Sequence, residues 1–244
     1  MKVLLTGKNS NNIAGLVKSF GFEVVDSNPD VIISYGGDGT LLSSEREYPG
    51  IPKLPIRNSQ FCHKCPEHED KTLLEKLSDS KLQLKEYAKL ETEVLYKKFY
   101  ALNDFVIRNQ HPIHAIRFKV ILPLSPRRMS GSINNTLYIG DGVVISTPFG
   151  SSGYFKSITG QTFNQGFGVA FNNITEKVEP LILKDAQSLT FKLIRGKATL
   201  SFDNSSDIFN IAEGSELIFK LSDQVAKIYE DTSLRCPNCQ VIRG

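Results

Sequence analysis

The residues Gly36-Gly37-Asp38-Gly39-Thr40 follow directly on the β-branched run Val31 to Tyr35. Glycines at a strand end let backbone N–H groups approach an anion without the steric cost of a Cβ, so such a loop can cradle phosphate. Asp38 does not suit a simple anion cradle, because a carboxylate repels phosphate at short range. Its place there suggests a base that takes a proton from an attacking hydroxyl, or a ligand for a Mg²⁺ ion bridging phosphates. A tight turn with Asp38 as its cap would use the same residues without chemistry.

A second candidate segment begins at Gly140-Asp141-Gly142, continues through Val143-Val144-Ile145 and enters Ser146-Thr147-Pro148-Phe149-Gly150-Ser151-Ser152-Gly153-Tyr154. Hydroxyls and glycines at this density offer several donors and close backbone approach to a ribose or an adenine edge. A polar surface loop is the plainer alternative.

The cysteines form a third group. All four fall in two Cys-x-x-Cys pairs, Cys62/Cys65 and Cys236/Cys239. Two such knuckles complete a closed four-sulfur Zn²⁺ site, structural because no ligand position stays open. The pairs lie far apart in the chain, so that site would be tertiary. Disulfides or a redox Cys-x-x-Cys are the alternatives. His63 and His68 flank the first pair, and His111 and His114 bracket Pro112 in what reads as a strand-edge turn.

These residues need a scaffold. Lys2 to Thr6 reads as a strand, Asn12 to Phe20 as a helix stopped by Gly21, and Phe22 to Val25 and Val31 to Tyr35 as further strands. Strands alternating with a helix imply a parallel sheet, in which ligands sit beyond the carboxyl ends of strands. Pro49 to Pro55 reads as a broken stretch, and Glu69 to Leu77 as an amphipathic helix. From about Leu82 the period changes to two. Glu91 to Tyr96, Phe99 to Ile107, Ala115 to Leu122, Gly131 to Ile139, Val143 to Ser146, Leu181 to Leu183, Leu189 to Leu193, Lys197 to Phe202 and Ser215 to Leu221 read as strands. The expected fold is a small Rossmann-like parallel α/β domain over residues 1–85, then a larger β-rich, sandwich-like domain over 86–225 and a tail over 226–244.

Composition narrows the function classes. The chain has 244 residues, 40% hydrophobic and 23% charged, with a net charge of +3. That is an ordinary globular range with no apolar run of membrane-spanning length. The amino terminus lacks the apolar core of a secretory signal, so a cytoplasmic protein is expected. The charge is too mild and too evenly spread for a nucleic-acid partner.

The two glycine-aspartate segments, with Leu102-Asn103-Asp104-Phe105-Val106-Ile107 between them in sequence, resemble the NAD kinase family. The family's pattern is a Gly-Gly-Asp-Gly-Thr loop, an Asn-Glu pair at a strand start, and an Asp-Gly, strand, Ser-Thr-Pro-x-Gly-Ser/Thr-x-x-Tyr block. The resemblance implies transfer of a phosphoryl group from ATP or polyphosphate to the adenosine 2′-hydroxyl of NAD, giving NADP, with Mg²⁺ brought by ATP. It implies that Asp38 activates the hydroxyl and that Gly36, Gly37, Gly39 and Thr40 approach the donor. It places Asn103, Ser152, Gly153, Tyr154 and Ser157 at the adenosine, Asp104 in the NAD site where a Glu is usual, and Asp141 near the nicotinamide ribose. A homodimer or homotetramer, and a chain end returning to the amino-terminal domain, are also implied. A lipid or sugar kinase with the same glycine loop is the alternative enzyme. A zinc-stapled module binding nucleotide or RNA is the non-catalytic one.

Overall fold

The computed structural model describes residues 1–58, 69–123, 136–184 and 187–231. Two compact units divide the described residues, one holding those of 1–87 and 225–231, the other those of 88–224.

In the first unit four strands, β1 (Lys2–Thr6), β2 (Glu23–Val24), β3 (Val31–Gly36) and β4 (Lys53–Arg57), pair in parallel in the order β2-β1-β3-β4. Val31, Ile32, Ile33 and Ser34 are all buried, the continuous pattern of a strand covered on both faces. Helix α1 (Asn11–Ser19) turns Ile13 and Val17 inward, and α3 (Asp70–Ser78) contributes Leu73, Leu74 and Leu77. Between them, α2 (Asp38–Glu47) starts immediately after β3. Helices α1 and α3 pack around Val3, Ile33, Leu54 and Ile56.

Two expectations change here. The glycine segment is no open loop: Gly36 ends β3, Gly37 is the helix cap residue, and Asp38 to Thr40 form the first turn of α2. The proline-broken stretch runs into β4, whose Pro55 lies opposite Ser34 of β3. A proline cannot donate to a ladder, yet the β3–β4 register runs on past it through Ile56 to Arg57. On its far side β4 meets the end of β16 (Glu216–Glu230), Ile228 pairing with Lys53.

The second unit is a β-sandwich. One sheet is antiparallel in the order β12-β11-β10-β7-β14-β15, built from β7 (Asp104–Asn109), β10 (Gly142–Ser146), β11 (Phe167–Asn172), β12 (Leu181–Leu183), β14 (Ala198–Phe202) and β15 (Phe209–Ile211). Opposite it, the first half of β16 pairs with β13 (Ser188–Arg195), then β8 (Ile116–Ile121) and β9 (Tyr138–Gly140). A hairpin of β5 (Gln83–Val94) and β6 (Lys97–Ala101) completes the unit. The core is aromatic: Phe105 meets Phe219 at 5.4 Å between ring centroids, Phe118 meets Phe191 at 5.3 Å and Tyr138 meets Phe171 at 4.6 Å. Offset and tilted rings at such distances add to the gain from burial.

The single strand expected over Phe99 to Ile107 is two, β6 and β7, broken at Leu102-Asn103. Beyond the hydroxyl-rich segment, a 3-10 turn (Gly150–Ser152) leads into α4 (Tyr154–Thr159), which Gly160 ends in the left-handed conformation at φ 72°. Strand β11 was hidden in a glycine-rich stretch. Its Gly168 leaves room for Phe155 of α4 and for Phe163, either of which a Cβ would strike. Among the described residues no helix is long and apolar enough to cross a membrane.

Candidate functional site

In the first unit the site is built on the carboxyl end of β3. Gly36 must lack a side chain because a Cβ there would overlap Thr40, so the strand turns into the helix without a spacer. A Cβ on Gly37 would meet nothing within 4 Å, so open space lies beside the first turn of α2. The cap position is Gly37 rather than Asp38, so the turn-capping reading of Asp38 does not hold. Asp38 is 41% exposed at the positive end of the helix, where backbone N–H groups lack helical partners. The seating of α2 is fixed from below. Ser44 donates to the Thr40 carbonyl at 2.7 Å, and its hydroxyl lies 2.7 Å from that of Thr6 and 2.9 Å from that of Ser34. Lys53, fully buried, pairs with Glu45 and donates to the Tyr48 carbonyl at 2.5 Å.

Sequence reasoning missed Arg57. It lies opposite Gly36 in the β3–β4 register, and its guanidinium is 3.8 Å from the Asp38 carboxylate. The signal was available: Arg57 ends an apolar alternation beside the strand that carries the glycine segment. Reading Pro49 to Pro55 as broken chain concealed it.

In the second unit Asn103 and Asp104 sit where β6 breaks and β7 begins. Asn103 is half-buried, and its side-chain Oδ1 is buried without a hydrogen-bond partner among the described residues. Asp104 is buried; burial, and then the carboxylate of Asp203, push its carboxyl up from 3.8 to about 7. The Ser146–Gly150 stretch lies against the same turn. Thr147 donates from Oγ1 to the Leu102 carbonyl at 2.6 Å, its N–H donates to the Asn103 carbonyl at 2.9 Å, and a Cβ on Gly150 would overlap that carbonyl. Ser152 and Gly153 are half-buried, while Tyr154 and Ser157 are exposed along α4, Ser157 donating to the Tyr154 carbonyl at 2.7 Å.

Asp141 stands apart from this cluster, at the other end of β10. Its two carboxylate oxygens accept from the side-chain amides of Asn109 at 3.2 Å and Asn173 at 3.1 Å. Asn109 also donates to the carbonyls of His111 and His114, so those histidines belong to a braced turn. Cys62, Cys65, Cys236 and Cys239, with His63 and His68, lie outside the described residues. Among the described residues no group of three or more His, Cys, Asp or Glu side chains could hold a metal ion.

A carboxylate at a helix start beyond a parallel strand, and a sandwich offering an asparagine unsatisfied among the described residues beside a hydroxyl-rich helix, are the parts of a nucleotide-dependent phosphotransferase. Residues 129–230 match the family described as "ATP-NAD kinase C-terminal domain". The chain is 30% identical to the NAD kinase of Sulfurisphaera tokodaii over 93% of its own length and 94% of that protein. Among solved structures it is similar to an NAD kinase from Archaeoglobus fulgidus in complex with ATP, with a TM-score of 0.76, 17% identity and coverage of 95% and 94%. It is also similar to the yeast NADH kinase complexed with NADH, with a TM-score of 0.78, 15% identity and coverage of 95% and 84%. The chain belongs to the NAD kinase family.

Proposed function

We propose that this protein phosphorylates the adenosine 2′-hydroxyl of NAD, with ATP or polyphosphate as donor, and releases NADP. The observation that carries the reading is the placing of Asp38: an accessible carboxylate on the first turn of a helix beyond a parallel strand, beside open space at Gly37. The Asp38 carboxylate takes the proton of the 2′-hydroxyl as that oxygen attacks the terminal phosphorus. The bond from that phosphorus to the bridging oxygen breaks, and the leaving ADP or shortened polyphosphate carries away the electron pair. Transfer of this kind depends mainly on positioning and neutralisation of charge. Arg57 and the amino terminus of α2 supply fixed positive charge where the donor's phosphates would lie.

The accessible carboxylate of Asp38 suits a Mg²⁺ ion held chiefly by phosphates and water, since Mg²⁺ keeps several waters and needs few protein ligands. When bound, the ion screens the donor's negative charge. Asn103, whose Oδ1 has no partner among the described residues, accepts a hydrogen bond from the adenosine; Asp104, Ser152, Gly153, Tyr154 and Ser157 line the same end and Asp141 the far ribose. The spacing of the two cysteine pairs supports a structural Zn²⁺, and the resemblance supports a dimer or tetramer.

Formation of NADP by purified protein given NAD, a donor and Mg²⁺ tests the reading. A folded protein that phosphorylates a lipid or sugar and leaves NAD untouched would replace it.

A further inference from the structure

The break between β6 and β7 is held by a residue far away in the sequence. Asp203 follows β14, and its carboxylate accepts three successive backbone N–H groups: Leu102 at 2.5 Å on Oδ2, Asn103 at 2.7 Å and Asp104 at 3.3 Å on Oδ1. Asp203 is only 4% exposed. It sits in left-handed backbone at φ 45°, with Asn204 beside it at φ 53°. Asp and Asn tolerate that region better than other non-glycine residues, yet it is sparsely populated and persists only where the surroundings enforce it. The same peptide is gripped from its other side. Thr147 bonds both the Leu102 and Asn103 carbonyls, and Ser146 donates to the Asn103 carbonyl at 3.3 Å. The N–H and C=O groups of Asn103 are therefore both satisfied, and both are fixed. Its side-chain oxygen alone is left buried without a partner among the described residues. A buried acceptor in that condition costs free energy until a donor arrives.

We infer that Asp203 is a positioning residue, whose carboxylate holds the Leu102–Asp104 peptide so that the Asn103 side chain is aimed at a hydrogen-bond donor on the adenosine of the dinucleotide. This rests on the proposed reaction and goes beyond it by naming a residue that touches no substrate. A carboxylate is required because it accepts on both oxygens. An asparagine there turns an NH2 group toward at least one backbone N–H, setting donor against donor.

The experiment compares wild type, D203N, N103A and the D203N/N103A double variant in steady-state assays with NAD and ATP varied separately. Asp203→Asn raises KM for NAD roughly tenfold or more, the scale of one lost charge-assisted hydrogen bond, and leaves KM for ATP within about twofold. In the N103A background D203N adds little further, because two residues acting through one contact are not additive. N204G, which keeps the backbone turn and the carboxylate, leaves KM for NAD unchanged. A merely structural loss lowers the active fraction, and with it kcat, without this split between substrates. Should D203N fail to fold, T147V removes the hydroxyl bond to the Leu102 carbonyl on the other side of the same peptide and must give the same NAD-selective rise. An unchanged KM for NAD in folded D203N, or in T147V where D203N cannot be made, overturns the inference, as do additive effects in the double variant. A wild type that neither binds nor phosphorylates NAD overturns the proposed function instead, a result visible before any variant is tested.

Discussion

Arg57 reaches from the end of β4 to within 3.8 Å of Asp38, which opens α2 from the end of β3. Two adjacent parallel strands thus deliver opposite charges to the edge where such sheets bind ligands. Both side chains are more than a third exposed, so the pair itself adds little stability. Under the proposed function its value lies in what it would present to a bound polyphosphate. Asp38→Asn removes the proton acceptor and lowers kcat by roughly two orders of magnitude or more, with the fold intact by circular dichroism. Arg57→Gln raises KM for the donor by roughly tenfold and leaves KM for NAD nearly unchanged. Equal effects on both substrates would remove Arg57 from the donor side.

Asp104 makes stability depend on pH. In the folded chain its carboxyl is raised to about 7, first by burial and then by Asp203, so folding favours the protonated form. That contribution is whole below the unfolded value near 3.8 and is lost as pH rises through about 7. Asp104→Asn cannot ionise. Relative to wild type it therefore gains stability between about pH 5 and about pH 8, by up to a few kcal/mol. Urea midpoints of the two proteins at both pH values measure this, and a difference that does not change with pH contradicts it.

Lys53 and Glu45 anchor the helix that carries Asp38. Both side chains are buried, at 0% and 3% exposure. Removing one partner leaves a buried charge uncompensated, so Glu45→Gln costs on the order of 3 kcal/mol by urea denaturation. Replacing the pair together, as in K53M/E45L, recovers much of that loss, since apolar packing avoids the desolvation of both ions. A double variant less stable than either single one would show that the ion pair is itself stabilising.

Metal analysis tests the cysteine reading. A four-thiolate site binds about one zinc per chain, lost on chelation together with a fall in Tm, and Cys65→Ser abolishes it. Four readily titrated free thiols and no metal would end it.

Much of the scaffold was legible locally. The run Val31 to Tyr35 reads as a buried strand because both of its faces are covered, and Leu73, Leu74 and Leu77 mark one face of α3. Other elements were concealed by their packing. Gly168 weakens the strand pattern of β11 because it leaves space for two phenylalanine rings, and Pro55 masks β4 although a neighbouring strand accommodates it. In each case the residue that spoils the pattern answers to a partner from elsewhere in the chain.

The residues able to move a proton or meet a phosphate were set out by type and spacing alone, because carboxylates, glycines and hydroxyls carry their chemistry wherever they stand. Folding decided which of them are poised. Asp38 became the first residue of a helix instead of a turn cap, Arg57 was brought beside it from the next strand, and Asp203 was brought to the peptide of Asn103 across about a hundred residues of chain. A carboxylate that gathers three amides leaves no periodic trace in sequence, since its partners are backbone groups that every residue possesses.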